Sequence, residues 1–198
     1  PSMRLITDTF RYGAANVRVF LNTQNPNAPF DPTNPALVKS FQAFPTASVG
    51  GWVLATDDMG QLANPAQAYH PTANPFVNRL DATPQKAEII VGTGPGLAAE
   101  VRVFTMNPDG TFALVETLQP LTAISSTFLG GVSLETARIN GDAFPDLLVG
   151  AGMNGDSRVE AYVWNGSPTN AQLNTPPLLS FAAFSDATKY LPVRVAAE

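Results

Sequence analysis

The sequence contains no cysteine and a single histidine, His70. Without cysteine there can be no disulfide, no thiol nucleophile and no Cys-ligated zinc site. One histidine excludes a His-based metal centre within one chain, and any Ser-His-Asp triad would have to use His70. Charged residues make up only 14% of the chain, and a net charge of −5 has the wrong sign for a phosphate-backbone binder. No apolar run reaches the ~18–20 residues that cross a bilayer as a helix, and nothing at the start reads as a secretory signal. Nucleic-acid binding, a membrane-spanning helix and His- or Cys-based catalysis drop out, and no enzymatic activity is expected.

Proline and glycine are abundant instead, at 18 and 15 of 198 residues. With 44% hydrophobic residues, this favours a packed domain of short strands and many turns over a long-helix bundle. The chain also repeats itself. Three windows of 18 residues align without a gap: 3–20 (MRLITDTFRYGAANVRVF), 87–104 (AEIIVGTGPGLAAEVRVF) and 145–162 (PDLLVGAGMNGDSRVEAY). The first two agree at 8 of 18 positions and end in the same VRVF. Each window is a hairpin signal, two alternating segments around turn residues, with Gly94-Pro95-Gly96 and Asn154-Gly155-Asp156 at the positive-φ positions. Strand alternation puts Val17, Val19, Val101 and Val103 on one face and Arg18 and Arg102 on the other. Buried between neighbouring repeats, each valine would contribute roughly 1.5–3 kcal/mol.

A third segment follows each hairpin (residues 37–44, 114–121 and 178–184), and a fourth closes each unit (51–56, 131–136 and 192–197). Four antiparallel strands of period 2, recurring about every 60 residues, describe an all-β fold: a β-propeller built of four-stranded blades. The expected units are about 3–57, 87–137 and 145–197 within one partial propeller, 1–198. A solenoid with three strands per repeat is the rival, and four segments with hairpin turns fit it less well. About three blades leave the ring incomplete, so either another copy completes it or the chain is a fragment or subunit of a larger propeller, and the second is favoured. Residues 62–86, with Pro65, Pro71, Pro75 and Pro84, form an insertion unsuited to strand or helix. Its Tyr69, His70, Phe76 and Arg79 are the candidate interaction residues, since loops of this length tend to carry function.

The segment Asn140-Gly141-Asp142-Ala143-Phe144-Pro145-Asp146, leading into Leu147-Leu148-Val149-Gly150-Ala151-Gly152, resembles the FG-GAP repeat, the blade of integrin α-subunit-like propellers. The Gly-rich turn leading into VRVF is similar to the bacterial extracellular form. The resemblance implies a closed propeller, an extracellular, periplasmic or cell-envelope location, and a role in binding or adhesion. It also implies a calcium loop with Asn140, Asp142 and Asp146 as side-chain ligands and the Phe144 carbonyl as backbone ligand. Arg138 stands where the family has its first acidic ligand, so an Arg–carboxylate staple or a plain hydrated turn is the alternative. Asp57-Asp58 resembles the start of such a loop, interrupted by the insertion before Glu88.

Gly92-Thr93-Gly94-Pro95-Gly96 is no phosphate loop, because no Lys-Ser/Thr ending and no helix follow it. Trp52, Tyr162 and Trp164 fall at strand positions where core packing is the default, with sugar stacking the other use for Trp164. The expected function is a non-catalytic extracellular module that binds protein or glycan partners through blade-face loops and the 62–86 insertion. The alternative is a structural subunit docked in a large envelope or extracellular complex, completing a propeller with another chain.

Overall fold

The computed structural model describes residues 3–7, 16–21, 38–44, 52–57, 88–107, 109–142, 144–164, 173–185 and 191–196. These residues form β-strands and no helix: β1 (Met3–Thr7), β2 (Asn16–Leu21), β3 (Val38–Gln42), β4 (Trp52–Asp57), β5 (Glu88–Thr93) and β6 (Val101–Met106). They continue with β7 (Phe112–Leu118), β8 (Val132–Ala137), β9 (Asp146–Ala151), β10 (Arg158–Tyr162) and β11 (Leu179–Ala182). All pairings are antiparallel, in three meanders: sheet I is β1-β2-β3, sheet II is β4-β5-β6-β7 and sheet III is β8-β9-β10-β11. The all-β fold with four-stranded antiparallel sheets is as expected.

The first two of the fourth segments pair forward. Hydrogen bonds join β4 to β5 and β8 to β9. β4 and β8 are thus the first strands of sheets II and III. The reason is local in sheet III, where only residues 138–145 separate β8 from β9 and an antiparallel hairpin is the short route. The turns use the residues foreseen for them, with φ of 97° at Gly96, 65° at Asn154 and 38° at Asp156.

Sheet II lies between the other two, which explains why every residue of β5 is buried. Ile89 and Val91 pack with Phe104 against Val17, Val19 and Phe44 of sheet I. Ile90 points the opposite way and joins Val101 and Val103 against Leu147 and Val149 of sheet III. The VRVF valines thus fill the space between sheets, and Val19, Val101 and Val103 are wholly buried. A strand covered on both faces cannot show the polar alternation of a half-exposed one, and Ile89-Ile90-Val91 indeed reads as an apolar run.

Candidate functional site

The loop between β8 and β9 holds the residues proposed as metal ligands. Asp146 opens β9 and is fully buried. Its Oδ2 accepts the N–H groups of Ile139 (2.9 Å) and Asn140 (3.2 Å), and its Oδ1 accepts that of Trp164 (3.1 Å). Asn140 Oδ1 accepts the Asp142 N–H at 3.0 Å while its Nδ2 donates to Asp142 Oδ2 at 2.6 Å. Asp142 Oδ1 accepts the Phe144 N–H at 2.8 Å. Gly141, at φ +79°, makes the bend that a side chain would strain. Calcium takes six to eight converging oxygens. Here both carboxylates are engaged by N–H donors, and among the described residues no three His, Cys, Asp or Glu side chains converge. The donor set fits a hydrogen-bonded turn that ties β8, β9 and Trp164 together. Arg138 is exposed, and no ion pair joins it to Asp142 or Asp146; those between described residues are Arg102–Glu100 and Arg158–Asp156.

Strands β4 and β8 and the segment 191–196 line a groove of about 550 Å³. Its walls are apolar (Val53, Leu134, Val193, Val195), with Ser133 and Arg194 supplying the polar side chains. Ser133 Oγ donates to the Val193 carbonyl at 2.8 Å, and the Val193 N–H donates to the Ala151 carbonyl at 2.9 Å. Glycines let these segments approach. A Cβ on Gly92 would lie 2.5 Å from Val132 Cγ2, and one on Gly150 would lie 2.9 Å from the Val193 carbonyl oxygen. Residues 191–196 therefore sit against sheet III much as β8 sits against sheet II.

One contact recurs between successive sheets. From the middle of β6, Arg102 reaches back to sheet I, where Nη1 donates to the Ala43 carbonyl at 2.9 Å and the guanidinium lies 4.5 Å from the Phe44 ring centroid. Arg102 Nε also meets Glu100 at 2.6 Å. At the matching position of β10, the buried Glu160 reaches back to sheet II and accepts the Leu121 N–H at 2.7 Å. Glu160 Oε2 also accepts the Tyr162 hydroxyl. Burial first, and then this carboxylate, push the Tyr162 phenol well above its ordinary pKa of 10.0.

The far face of sheet III is covered unevenly: Val159 and Ala161 are buried there, while the outer strand β11 is exposed. Register puts Val159 beside Phe181, and Ala161 beside both Leu148 and Leu179, on that face. Leu179 is 47% exposed, Phe181 50% and Phe184 54%, whereas Leu118, which stands opposite Val101 as Phe181 stands opposite Val159, and Leu121 beyond it are buried. An apolar patch of this kind on a sheet face marks an interaction surface.

The structure thus brings Asn140, Asp142, Phe144 and Asp146 together in one turn, while Tyr69, His70, Phe76 and Arg79 lie outside the described residues. Trp164 is fully buried, so its indole is core and not a sugar platform. Sequence reasoning missed Glu160 and Phe184. The signal for Glu160 was a carboxylate standing where the other two windows carry Arg18 and Arg102. No protein-family model, curated protein or solved structure matches the chain.

Proposed function

We propose that the chain is a non-catalytic interaction module of the β-propeller type, similar to FG-GAP blades, that works by having its open sheet face covered within an extracellular or cell-envelope assembly. The observation that carries this reading is the contrast between equivalent faces. Sheets I and II each have theirs buried by the next sheet, while Leu179, Phe181 and Phe184 of sheet III are about half exposed. Large apolar side chains exposed along one outer strand favour lasting docking over transient recognition, which supports the structural-subunit version. The groove at the opposite, β8 edge of the sheet carries Ser133 and Arg194 as its polar side chains, in keeping with a binding role. Protein is the partner class that an apolar sheet face fits. Glycan binding draws less support, since the indole considered for it is buried. In this reading the 138–146 turn holds through its own hydrogen bonds, with calcium as an optional addition.

The test is the native mass of the protein in extracts of its source cells. Wild type should run in a particle well above 20.9 kDa, and a Leu179→Glu/Phe181→Glu double variant should fall to the mass of the single chain. If wild type and variant both run as single chains, the reading fails.

A further inference from the structure

We propose that Asn154 is a self-modification site of the folded chain: the Gly155 nitrogen attacks its side-chain amide, and the turn between β9 and β10 opens as isoaspartate forms. The chemistry needs Asn or Asp followed by glycine, whose missing side chain leaves the attacking nitrogen unshielded. Three such steps fall among the described residues, Asp109-Gly110, Asn140-Gly141 and Asn154-Gly155, while Asn165-Gly166 lies outside them. The three differ in what holds their reacting groups.

Two of them are held. Gly110 donates its N–H to the Asn107 carbonyl at 2.9 Å, so the attacking nitrogen is engaged. Asp109 Oδ1 is engaged too, accepting the Thr111 N–H at 2.9 Å and the Thr111 hydroxyl at 2.6 Å. Asn140 is pinned through its amide, since Oδ1 accepts the Asp142 N–H at 3.0 Å and Nδ2 donates to Asp142 Oδ2 at 2.6 Å. Its own N–H donates to Asp146 at 3.2 Å. Turning the Asn140 amide towards the Gly141 nitrogen breaks both side-chain bonds at once.

Asn154 is held in neither way. Its side chain is exposed and, like the Gly155 N–H, makes no hydrogen bond to a described residue. The turn is fastened on either side of the reacting peptide unit, where the Met153 N–H donates to the Gly130 carbonyl and the Gly155 carbonyl accepts the Arg158 N–H, each at 3.0 Å. The unit between Asn154 and Gly155 can therefore rotate without breaking a bond of its own. Its surroundings favour rotation, because Asn154, Asp156 and Ser157 all take positive φ, at 65°, 38° and 55°, a conformation unfavourable to side chains.

The steps balance with water as the sole co-reactant. The Gly155 nitrogen bonds to the side-chain carbonyl carbon of Asn154 and gives up its proton, and Nδ2 takes a proton and leaves as ammonia. Water then opens the cyclic imide at either carbonyl, giving Asp or, where the main chain now runs through the side-chain carbon, isoaspartate. Either product adds one negative charge to the −5 of the chain. Isoaspartate also adds a methylene ahead of Gly155, which is packed so closely that a Cβ would fall 2.5 Å from Ala151 Cβ and 2.9 Å from the Phe128 ring. A site without slack cannot absorb that length. The bonds from the Gly152 and Met153 N–H groups to the Gly131 and Gly130 carbonyls, which tie this turn to the start of β8, give way instead.

The purified full chain, incubated folded at mildly alkaline pH and followed by peptide mass spectrometry beside a urea-unfolded control, tests this. In the folded chain Asn154 should convert about tenfold faster than Asn140, the ratio that two hydrogen bonds on the second amide impose. In urea the two should convert at similar rates. Asp142→Ala, which releases the Asn140 amide, should raise the Asn140 rate severalfold and leave that of Asn154 unchanged. The isoaspartate form, separated by ion exchange, should melt several degrees below its parent. Folded Asn140 converting as fast as Asn154, an Asn154 that reacts only in urea, or an Asn140 rate indifferent to Asp142→Ala each overturns the inference. An isoaspartate form that melts with its parent overturns the opening of the turn.

Discussion

The Arg102 guanidinium carbon lies over Phe44, 4.5 Å from the ring centroid, and joins sheet II to sheet I across a separation of 58 residues in sequence. The guanidinium does three things at once there: it sits over the ring, donates to the Ala43 carbonyl and pairs with Glu100. Only a planar fork fits all three. Arg102→Ala should lower stability by about 1–2 kcal/mol, and Arg102→Lys should recover only part of that. Glu100→Gln removes a partly exposed ion pair and should change stability by less than about 1 kcal/mol. Urea denaturation at unchanged m-value checks the order, and equal losses for Glu100→Gln and Arg102→Ala would assign the contact to charge alone.

Tyr162, beside Glu160, should make stability fall at alkaline pH. Burial and the neighbouring carboxylate raise the pKa of the folded-state phenol above the 10.0 of the free side chain. The stability associated with this proton is fully present below pH 10.0 and is lost as pH rises beyond it, because the unfolded chain ionises first. Wild type should therefore lose stability steeply above that pH, and Tyr162→Phe should flatten the slope while costing about 1 kcal/mol at neutral pH through the lost hydrogen bond. Thermal melts from pH 7 to 11 read both effects. An unchanged alkaline slope in the variant would show that another group controls it.

Three glycines should rank by what a methyl group would meet. At Gly152 an added Cβ falls 2.1 Å from the Gly130 carbonyl oxygen and 2.7 Å from that of Gly131, both backbone atoms. Gly152→Ala should thus cost more than about 4 kcal/mol or prevent folding. At Gly92 the clash is with the Val132, Leu134 and Val53 side chains, and Gly92→Ala should cost about 1–3 kcal/mol by overpacking. Gly141 has open space but φ +79°, so Gly141→Ala should cost only about 1 kcal/mol. Soluble yield and denaturation midpoints give the ranking, and a Gly152→Ala variant as stable as Gly141→Ala would contradict it.

The strands were legible because their cause is local. VRVF alternates, Gly96 and Asn154 permit the turns, and three aligned windows reinforce one another. What the sequence hides are relationships between sheets. Nothing near Arg102 in the chain identifies Phe44 as its platform, and nothing near Glu160 identifies the Leu121 N–H. Asp146 shows a different limit. A carboxylate at a loop end suits a cation and a set of N–H donors equally well until the backbone is seen.

That ambiguity makes Asp146 the residue on which calcium can be judged. Its two oxygens accept three backbone N–H groups in a fully buried position. Asp146→Asn replaces one acceptor by an NH2 group facing donors and should cost about 2–4 kcal/mol whether or not calcium is supplied. Asp142→Asn, exposed at the tip of the turn, should cost less than about 1 kcal/mol. If the turn holds by hydrogen bonds alone, adding a chelator leaves the melting temperature within about 1 °C, and millimolar calcium raises it by no more. A structural ion predicts the opposite pattern: a fall of several degrees on chelation, abolished by Asp142→Asn and Asp146→Asn alike, because losing either ligand would empty the site.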